Sequence, residues 1–138
     1  MSGKKIIAVL GATGAQGGGL VRSILNDKSN EFTVRALTRD INSDKARALL
    51  VLGVEVVSAD VDSIESLNKA FDGVYGVYAV TFFWEHFSPD KEKAHAQNIA
   101  KAAKHADVKH IIWSTLEDTR KWVPLTDNRM PTIGNYKV

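Results

Sequence analysis

The sequence contains no cysteine, only three prolines, and no apolar run of the length that a membrane-spanning helix needs. The missing cysteine excludes disulfide bonds, thiolate metal sites and a cysteine nucleophile. An excess of one charge is also missing, because 18 Lys and Arg against 16 Asp and Glu leave a formal net charge of +2. This balance does not favour nucleic acid or a membrane surface as a partner. The start resembles a strand rather than a signal peptide, so we expect a cytoplasmic location, with the nucleus as the alternative.

What the sequence does contain is a regular alternation of short β-branched runs with helical patterns. Strands are predicted at 5–10, 32–38, 54–58, 74–81 and 110–114. Helices are predicted from residue 15 and at 43–52, 63–71 and 89–105, with Ser43 and Ser63 as N-caps and Gly53 as a stop. Such alternation predicts an α/β fold, a doubly wound parallel sheet with helices on both faces and the strand order 3-2-1-4-5.

The alternation stops near residue 118, and the segment 119–138 shows no period. An unpatterned segment of about twenty residues is unusual inside a compact domain. We therefore interpret residues 1–118 as one domain and 119–138 as an irregular tail that leads into a missing C-terminal half. A disordered end is the alternative. Because a short chain of this kind leaves a sheet edge uncovered, a homodimer is a further expectation.

A glycine-rich turn, Gly-Ala-Thr-Gly-Ala-Gln-Gly at 11–17, lies between the first strand and the first helix. Gly11 permits a tight turn, Gly14 lets the backbone approach a pyrophosphate, and Gly17 lets the helix pack against the strand. The N–H groups that open the helix then face the phosphates. The pattern predicts a Rossmann-type nucleotide site, the alternative being a Gly-rich connection without a ligand. The predicted contacts in this turn are Gly11, Thr13, Gly14, Ala15, Gln16 and Gly17.

The end of the second strand bears on which nucleotide binds. NAD-binding proteins usually carry an acid there, about 20 residues beyond the glycines, to hold the ribose 2′-hydroxyl. Here the positions are Thr38 and Arg39, with Lys45 further on. A guanidinium binds a 2′-phosphate through charge-assisted hydrogen bonds of about 1.5–3 kcal/mol each. The sequence predicts NADP(H), although Asp40 would favour NAD if the strand ended one residue later, and Arg39 as a solvated loop charge is the alternative.

The turn after the third strand reads Ala-Asp-Val-Asp at 59–62. In this architecture it lies beside the adenine, so Asp60 and Val61 are predicted to contact the base. The alternative is a plain turn with an N-cap, which we favour for Asp62.

Four segments, 7–17, 34–39, 53–60 and 80–85, resemble the NmrA-like family of atypical short-chain dehydrogenases/reductases. The Gly-Ala-Gln-Gly and Thr-Phe-Phe-Trp-Glu stretches are the more particular ones, and the chain is especially similar to the NADPH-sensing redox-sensor members. The resemblance implies a longer chain whose second half is a smaller partner-binding or substrate domain. It also implies that Thr81 and Phe82 line the nicotinamide side of the cleft.

Catalytic residues are less evident. Short-chain reductases use a Tyr with a Lys four residues later, and neither Tyr75, Tyr78 nor Tyr136 has one in this sequence. Ser114 and Thr115 lie at the end of the fifth strand, where such enzymes keep a substrate-orienting hydroxyl; strand-end capping is an equal alternative. We therefore expect an NADP(H)-binding regulatory protein whose cofactor redox state is read by a protein partner. The alternative is an NADPH-dependent reductase of the quinone or isoflavone type, with its catalytic residues beyond residue 138, and a nucleotide-sugar type of extended reductase is a third.

The remaining aromatic and histidine residues give weaker indications. The four histidines lack metal-ligand spacing, and His95 and His105 are predicted to lie on a solvated, Lys-rich helix face. Trp113 is predicted to be in the core. The aromatic residues within 82–87 are predicted to form an apolar loop that lines the cleft or packs against another domain.

Overall fold

The computed structural model describes residues 3–115, which form one parallel sheet of five strands in the order β3-β2-β1-β4-β5. This order and the doubly wound class are those that the sequence predicts. The strands are β1 (Lys5–Val9), β2 (Phe32–Thr38), β3 (Glu55–Ser58), β4 (Gly76–Ala79) and β5 (His110–Trp113). The helices are α1 (Ala15–Leu25), α2 (Asp44–Val51), α3 (Ile64–Ala70), α4 (Phe83–His86) and α5 (Pro89–His105). The predicted tail at 119–138 lies outside the described residues.

The two faces of the sheet are covered by different helices. Successive residues of a strand point to opposite faces, and in β1 Ala8 joins one core cluster whereas Val9 joins the other. The larger cluster contains Phe71 and residues of α3 and α5, including Ile99. The smaller cluster contains Val21 of α1. Burying an aliphatic or aromatic side chain of this kind contributes about 1.5–3 kcal/mol, so both helical layers stabilise the sheet.

Serine side chains cap three of the helices. Ser43 and Ser63 accept hydrogen bonds from the N–H groups three residues later and open α2 and α3, as predicted. Ser88 does the same for α5. Gly53 follows α2 with a φ of +81°, a conformation that favours glycine. Within residues 3–115, none of the helices combines the length and the apolar character needed to cross a bilayer.

The side chain of Arg35 joins β2, β3 and α3. Its Nε donates to Glu55 Oε2 at 2.9 Å, and its Nη1 donates to the carbonyl oxygens of Ala70 at 3.0 Å and Asp72 at 2.6 Å. The last carbonyls of a helix lack partners within the helix. Arg35 therefore closes the C-terminal end of α3 and holds it to the β2–β3 edge of the sheet.

His95 is buried, and the prediction of a solvated position was wrong. Only 6% of the residue is exposed, and its Nε2 donates to Asp62 Oδ1 at 2.6 Å. His95 lies on the same stripe of α5 as Ile99 and Ala102, so its position faces the core despite the surrounding lysines. His105 is exposed, as predicted.

Two aromatic segments differ in outcome. Trp113 is half-buried and packs against the larger core cluster, in agreement with the prediction. The segment Phe83–His86, by contrast, forms the short helix α4 where a loop was predicted. Four residues are too few to show a helical period in the sequence.

Candidate functional site

A cleft of about 770 Å³ opens at the carboxyl edge of the sheet. The chain leaves β1 towards β2 on one side and leaves β4 towards β5 on the other, so the cleft lies where the strand order reverses, the usual ligand position in such sheets. Its volume lies within the range of cofactor sites. Among the residues that line it are these sequence-predicted ones: Gly11, Thr13, Gly14, Ala15, Gln16, Gly17, Thr38, Arg39, Val61, Thr81, Phe82 and Ser114.

The glycine turn is built so that only glycine fits at its contact with α1. Gly11 has a φ of +63° and accepts a hydrogen bond from Gly14 N at 2.9 Å. A Cβ on Gly17 would overlap the Gly11 carbonyl oxygen and lie 2.6 Å from its carbonyl carbon. A Cβ on Gly19, two residues along the helix, would meet nothing within 4 Å. The constraint is therefore local to the point where α1 approaches the turn.

The N-terminus of α1 differs from those of α2, α3 and α5. Its N-cap is Gly14, which brings no side chain to the first turn, and no acidic residue lies in that turn. The first N–H groups of a helix have no partner within the helix and carry a partial positive charge. In α1 they open on the cleft, which makes this end suited to an anion.

A cationic end of the cleft lies after β2. Arg39 is exposed over 64% of its side chain, and its Nη2 donates to Glu85 Oε1 of α4 at 2.7 Å. The guanidinium carbon lies 5.9 Å from the centre of the Phe82 ring, close enough for a cation–π contact. Lys45 of α2 lines the same cleft. This end of the cleft thus brings together two cations, Arg39 and Lys45, with the carboxylates of Asp40 and of Glu85, which pairs with Arg39.

Two of the acids that the sequence singled out are engaged in turns. Asp40 Oδ1 accepts a hydrogen bond from Asn42 N at 2.9 Å, and Asp60 Oδ1 accepts one from Asp62 N at 2.9 Å. Asp40 lines the cleft, whereas Asp60 is not among the lining residues. The wall after β3 is therefore formed by two apolar residues, Ala59 and Val61.

A carboxylate that the sequence analysis missed lies beside Thr81. Thr81 Oγ1 donates a hydrogen bond to Glu92 Oε1 of α5, and both residues line the cleft. Ser88 N donates to His86 Nδ1 at 3.0 Å, so the proton of a neutral His86 is on Nε2. That Nε2 lies 3.7 Å from Glu92 Oε2. Glu92 therefore places a carboxylate at the end of the cleft where β4 stops.

The hydroxyl of Ser114 faces the glycine turn. Gln16 Oε1 accepts hydrogen bonds from Ser114 Oγ and from Tyr78 OH, each at 2.8 Å. Ser114 N also donates to the Ala79 carbonyl oxygen at 2.8 Å. One amide thus joins the first turn of α1 to the ends of β4 and β5.

Several lining residues were not predicted. Most of them belong to strand ends or to the residues just after them, so position in the fold was the available signal. They are Leu10, Leu37, Ser43, Ala59, Val80, Glu85 and Glu92. Thr115, which the sequence singles out together with Ser114, also lines the cleft. Among residues 3–115, no group of three or more His, Asp or Glu side chains has a geometry suited to a metal ion.

Comparison with known proteins shows the family and the fold. The model of the NmrA-like family matches residues 3–131. An NmrA-like family domain-containing oxidoreductase from Aspergillus versicolor is 38% identical over 121 residues, which are 84% of this chain and 33% of that protein. The chain spans about a third of the length of the curated relatives it matches.

Solved structures are similar over most of the described fold. The triphenylmethane reductase of Citrobacter sp. complexed with NADP(H) has a TM-score of 0.72 at 30% identity, covering 94% of this chain and 44% of that one. NmrA, a negative transcriptional regulator solved in complex with NAD, has a TM-score of 0.74 at 26% identity, covering 88% and 36%. With the sheet order, the glycine turn and the family match in agreement, this chain belongs to the NmrA-like family.

Proposed function

We propose that the cleft binds NADP(H) and that this chain is the nucleotide-binding part of an NADPH-dependent oxidoreductase. The observation that carries the proposal is that one cleft contains two groups suited to binding anions. These are the N-terminus of α1, which no side chain caps, and the guanidinium of Arg39. A dinucleotide with a 2′-phosphate presents anionic groups of this kind at two separate points.

Each part of the cleft has a role in this proposal. The N–H groups that open α1 receive the pyrophosphate, and Arg39 with Lys45 receives the 2′-phosphate. Val61 packs against the base. Thr81 and Phe82 take the nicotinamide side. Asp60 does not line the cleft, and we leave it out of the proposed site.

The nicotinamide supplies hydride when bound, and the residues of this chain bind and orient it. Phe82 lies against the glycine turn, with a ring carbon 3.3 Å from the position of a Cβ on Gly11, so the wall there is apolar. Glu92, which accepts a hydrogen bond from Thr81, places a carboxylate at this end. The substrate class we propose is a quinone or a similar carbonyl compound.

The comparisons support the oxidoreductase over the regulatory protein that the sequence alone favours. The curated relatives reported above carry the name oxidoreductase, and the Citrobacter protein is a reductase. A regulatory role is the second candidate. It is favoured by the absence of a Tyr-x-x-x-Lys from the 138 residues and by the likeness to NmrA, a negative transcriptional regulator. In that role the redox state of the nucleotide would shift association with a protein partner.

Calorimetric titration with NADP, NADPH, NAD and NADH tests the nucleotide assignment. We expect binding of all four, with the phosphorylated pair tighter by about tenfold or more, since each charge-assisted hydrogen bond to a phosphate contributes about 1.5–3 kcal/mol. The reaction is tested by measuring whether the full-length protein consumes NADPH in the presence of quinones and small carbonyl compounds. Tight NADPH binding without turnover of any of these substrates would favour the regulatory candidate, and no binding of any nucleotide would exclude both.

A further inference from the structure

The guanidinium proposed to receive the 2′-phosphate is already paired with a carboxylate across the mouth of the cleft. Arg39 follows β2, and Glu85 lies 46 positions later on α4. Their contact is a single one, from Nη2 to Oε1 at 2.7 Å, not the two-pronged pairing that Arg and a carboxylate can form. Both residues line the cleft. A nucleotide that binds in the cleft would therefore contact an Arg39 guanidinium that is already hydrogen-bonded to Glu85.

NADP and NAD interact differently with the Arg39–Glu85 pair. A phosphate monoester carries a charge of about −1.5 to −2 at neutral pH, so a 2′-phosphate on Arg39 is opposed by the Glu85 carboxylate. A 2′-hydroxyl carries no charge and donates a hydrogen bond to a carboxylate, which is how an acid at the end of β2 holds NAD in other proteins. Asp40, the acid nearest in sequence, is held in its turn by Asn42 N. Glu85 is thus the carboxylate in contact with the phosphate-binding group.

Resting on the proposed function, we infer that Glu85 is a specificity-determining residue that narrows the preference for NADP over NAD. It opposes the 2′-phosphate, competes for Arg39, and offers the 2′-hydroxyl of NAD an acceptor. Both side chains are well exposed, 64% for Arg39 and 47% for Glu85, so water screens their interaction. The effect on the ratio of the two dissociation constants is therefore moderate, about threefold to tenfold.

The test compares Glu85→Gln with a matched control, Glu31→Gln. Glu31 is exposed, lies at the opposite edge of the sheet, where its carbonyl accepts from Lys5 N, and does not line the cleft. Both substitutions remove one negative charge, so a difference between them reports on position rather than net charge. Each protein is titrated with NADP and with NAD by calorimetry, after its thermal unfolding has been shown to match that of the wild type.

In Glu85→Gln we expect the ratio Kd(NAD)/Kd(NADP) to rise by about threefold to tenfold, with tighter NADP binding, and in Glu31→Gln we expect no change. An unchanged or lower ratio in Glu85→Gln, in a protein that prefers NADP and loses that preference in Arg39→Ala, overturns this inference and leaves the proposed function intact. Failure of the wild-type chain to bind either nucleotide overturns both.

Discussion

Ser114 Oγ donates a hydrogen bond of 2.8 Å to Gln16 Oε1, and this contact joins the end of β5 to the first turn of α1. The same oxygen accepts from Tyr78 OH at the same distance. A side-chain amide oxygen has two lone pairs, so Gln16 uses both on hydroxyl groups. Ser114 therefore orients a substrate only by leaving Gln16 or by accepting a hydrogen bond while it donates to Gln16.

Replacing Gln16 with leucine tests this bridge. Gln16→Leu removes the acceptor of both hydroxyls, and we expect a loss of about 1 kcal/mol in the free energy of unfolding, because both groups lie near water and recover part of the interaction. Urea denaturation measures the loss. The control is Gln97→Leu on an exposed position of α5, for which we expect a change of less than about 0.5 kcal/mol. Equal changes in the two variants would show that the bridge contributes nothing.

The contact between Gly17 and the Gly11 carbonyl makes a second prediction. Gly17→Ala forces a Cβ against the backbone carbonyl of Gly11, so we expect the free energy of unfolding to fall by about 1–3 kcal/mol and nucleotide binding to weaken as the turn moves. Gly19→Ala, on the same helix, meets nothing and should raise the free energy of unfolding by about 0.5–1 kcal/mol through helix propensity. Urea denaturation and nucleotide titration of both variants measure these effects. A Gly17→Ala protein as stable as wild type would contradict the close approach.

Removal of the Arg39 guanidinium distinguishes the two nucleotides. Arg39→Ala should weaken NADP binding by about tenfold to a hundredfold, as expected for loss of a charge-assisted hydrogen bond of about 1.5–3 kcal/mol, and NAD binding by less than about threefold. Calorimetric titration measures both constants. Arg47→Ala serves as the control, since Arg47 is an exposed residue of α2 that does not line the cleft. An equal loss for NADP and NAD in Arg39→Ala would remove the 2′-phosphate assignment.

The buried position of His95 makes a prediction about stability. His95→Ala deletes the hydrogen bond to the Asp62 carboxylate and the edge-to-face contact with His86, whose ring centre lies 5.3 Å away. We expect the free energy of unfolding to fall by about 2–3 kcal/mol. His105→Ala, at an exposed position of the same helix, should change it by less than about 0.5 kcal/mol. Denaturant unfolding of both variants measures the two changes. Similar losses of unfolding free energy in His95→Ala and His105→Ala would mean that the contacts of His95 do not stabilise the fold.

The sequence predicted the sheet because its signals are local. Each strand is a short apolar run, and Ser43 and Ser63 mark helix starts through hydrogen bonds to N–H groups only three residues away. The glycine turn was predictable for the same reason, since Gly11 and Gly17, which lie in contact, are close in the sequence. Parallel strands must be joined by right-handed crossover connections, and this rule leaves few possible strand orders for the sheet.

The parts that the sequence did not predict depend on contacts between distant residues. The pairing of Arg39 with Glu85 joins the residue after β2 to a residue of α4 that lies 46 positions later, and no local pattern indicates it. For His95 a signal did exist: its spacing from Ile99 and Ala102 is that of a buried helical stripe. The lysines of α5 predicted a solvated face, but charged residues on other faces of a helix do not determine where one position points.

The register of β1 has a consequence for the order in which the chain folds. Ile7 pairs with Gly76, a separation of about seventy residues and the longest among neighbouring strands of this sheet, whereas β2 and β3 pair residues only about twenty apart. Closing a longer loop carries a larger entropic penalty, so the β1–β4 junction is expected to form after the β1–β3 half has assembled. The two walls of the cleft come from either side of that junction. A chain in which only the β1–β3 half had assembled would therefore possess the glycine turn and yet lack one wall of the dinucleotide cleft.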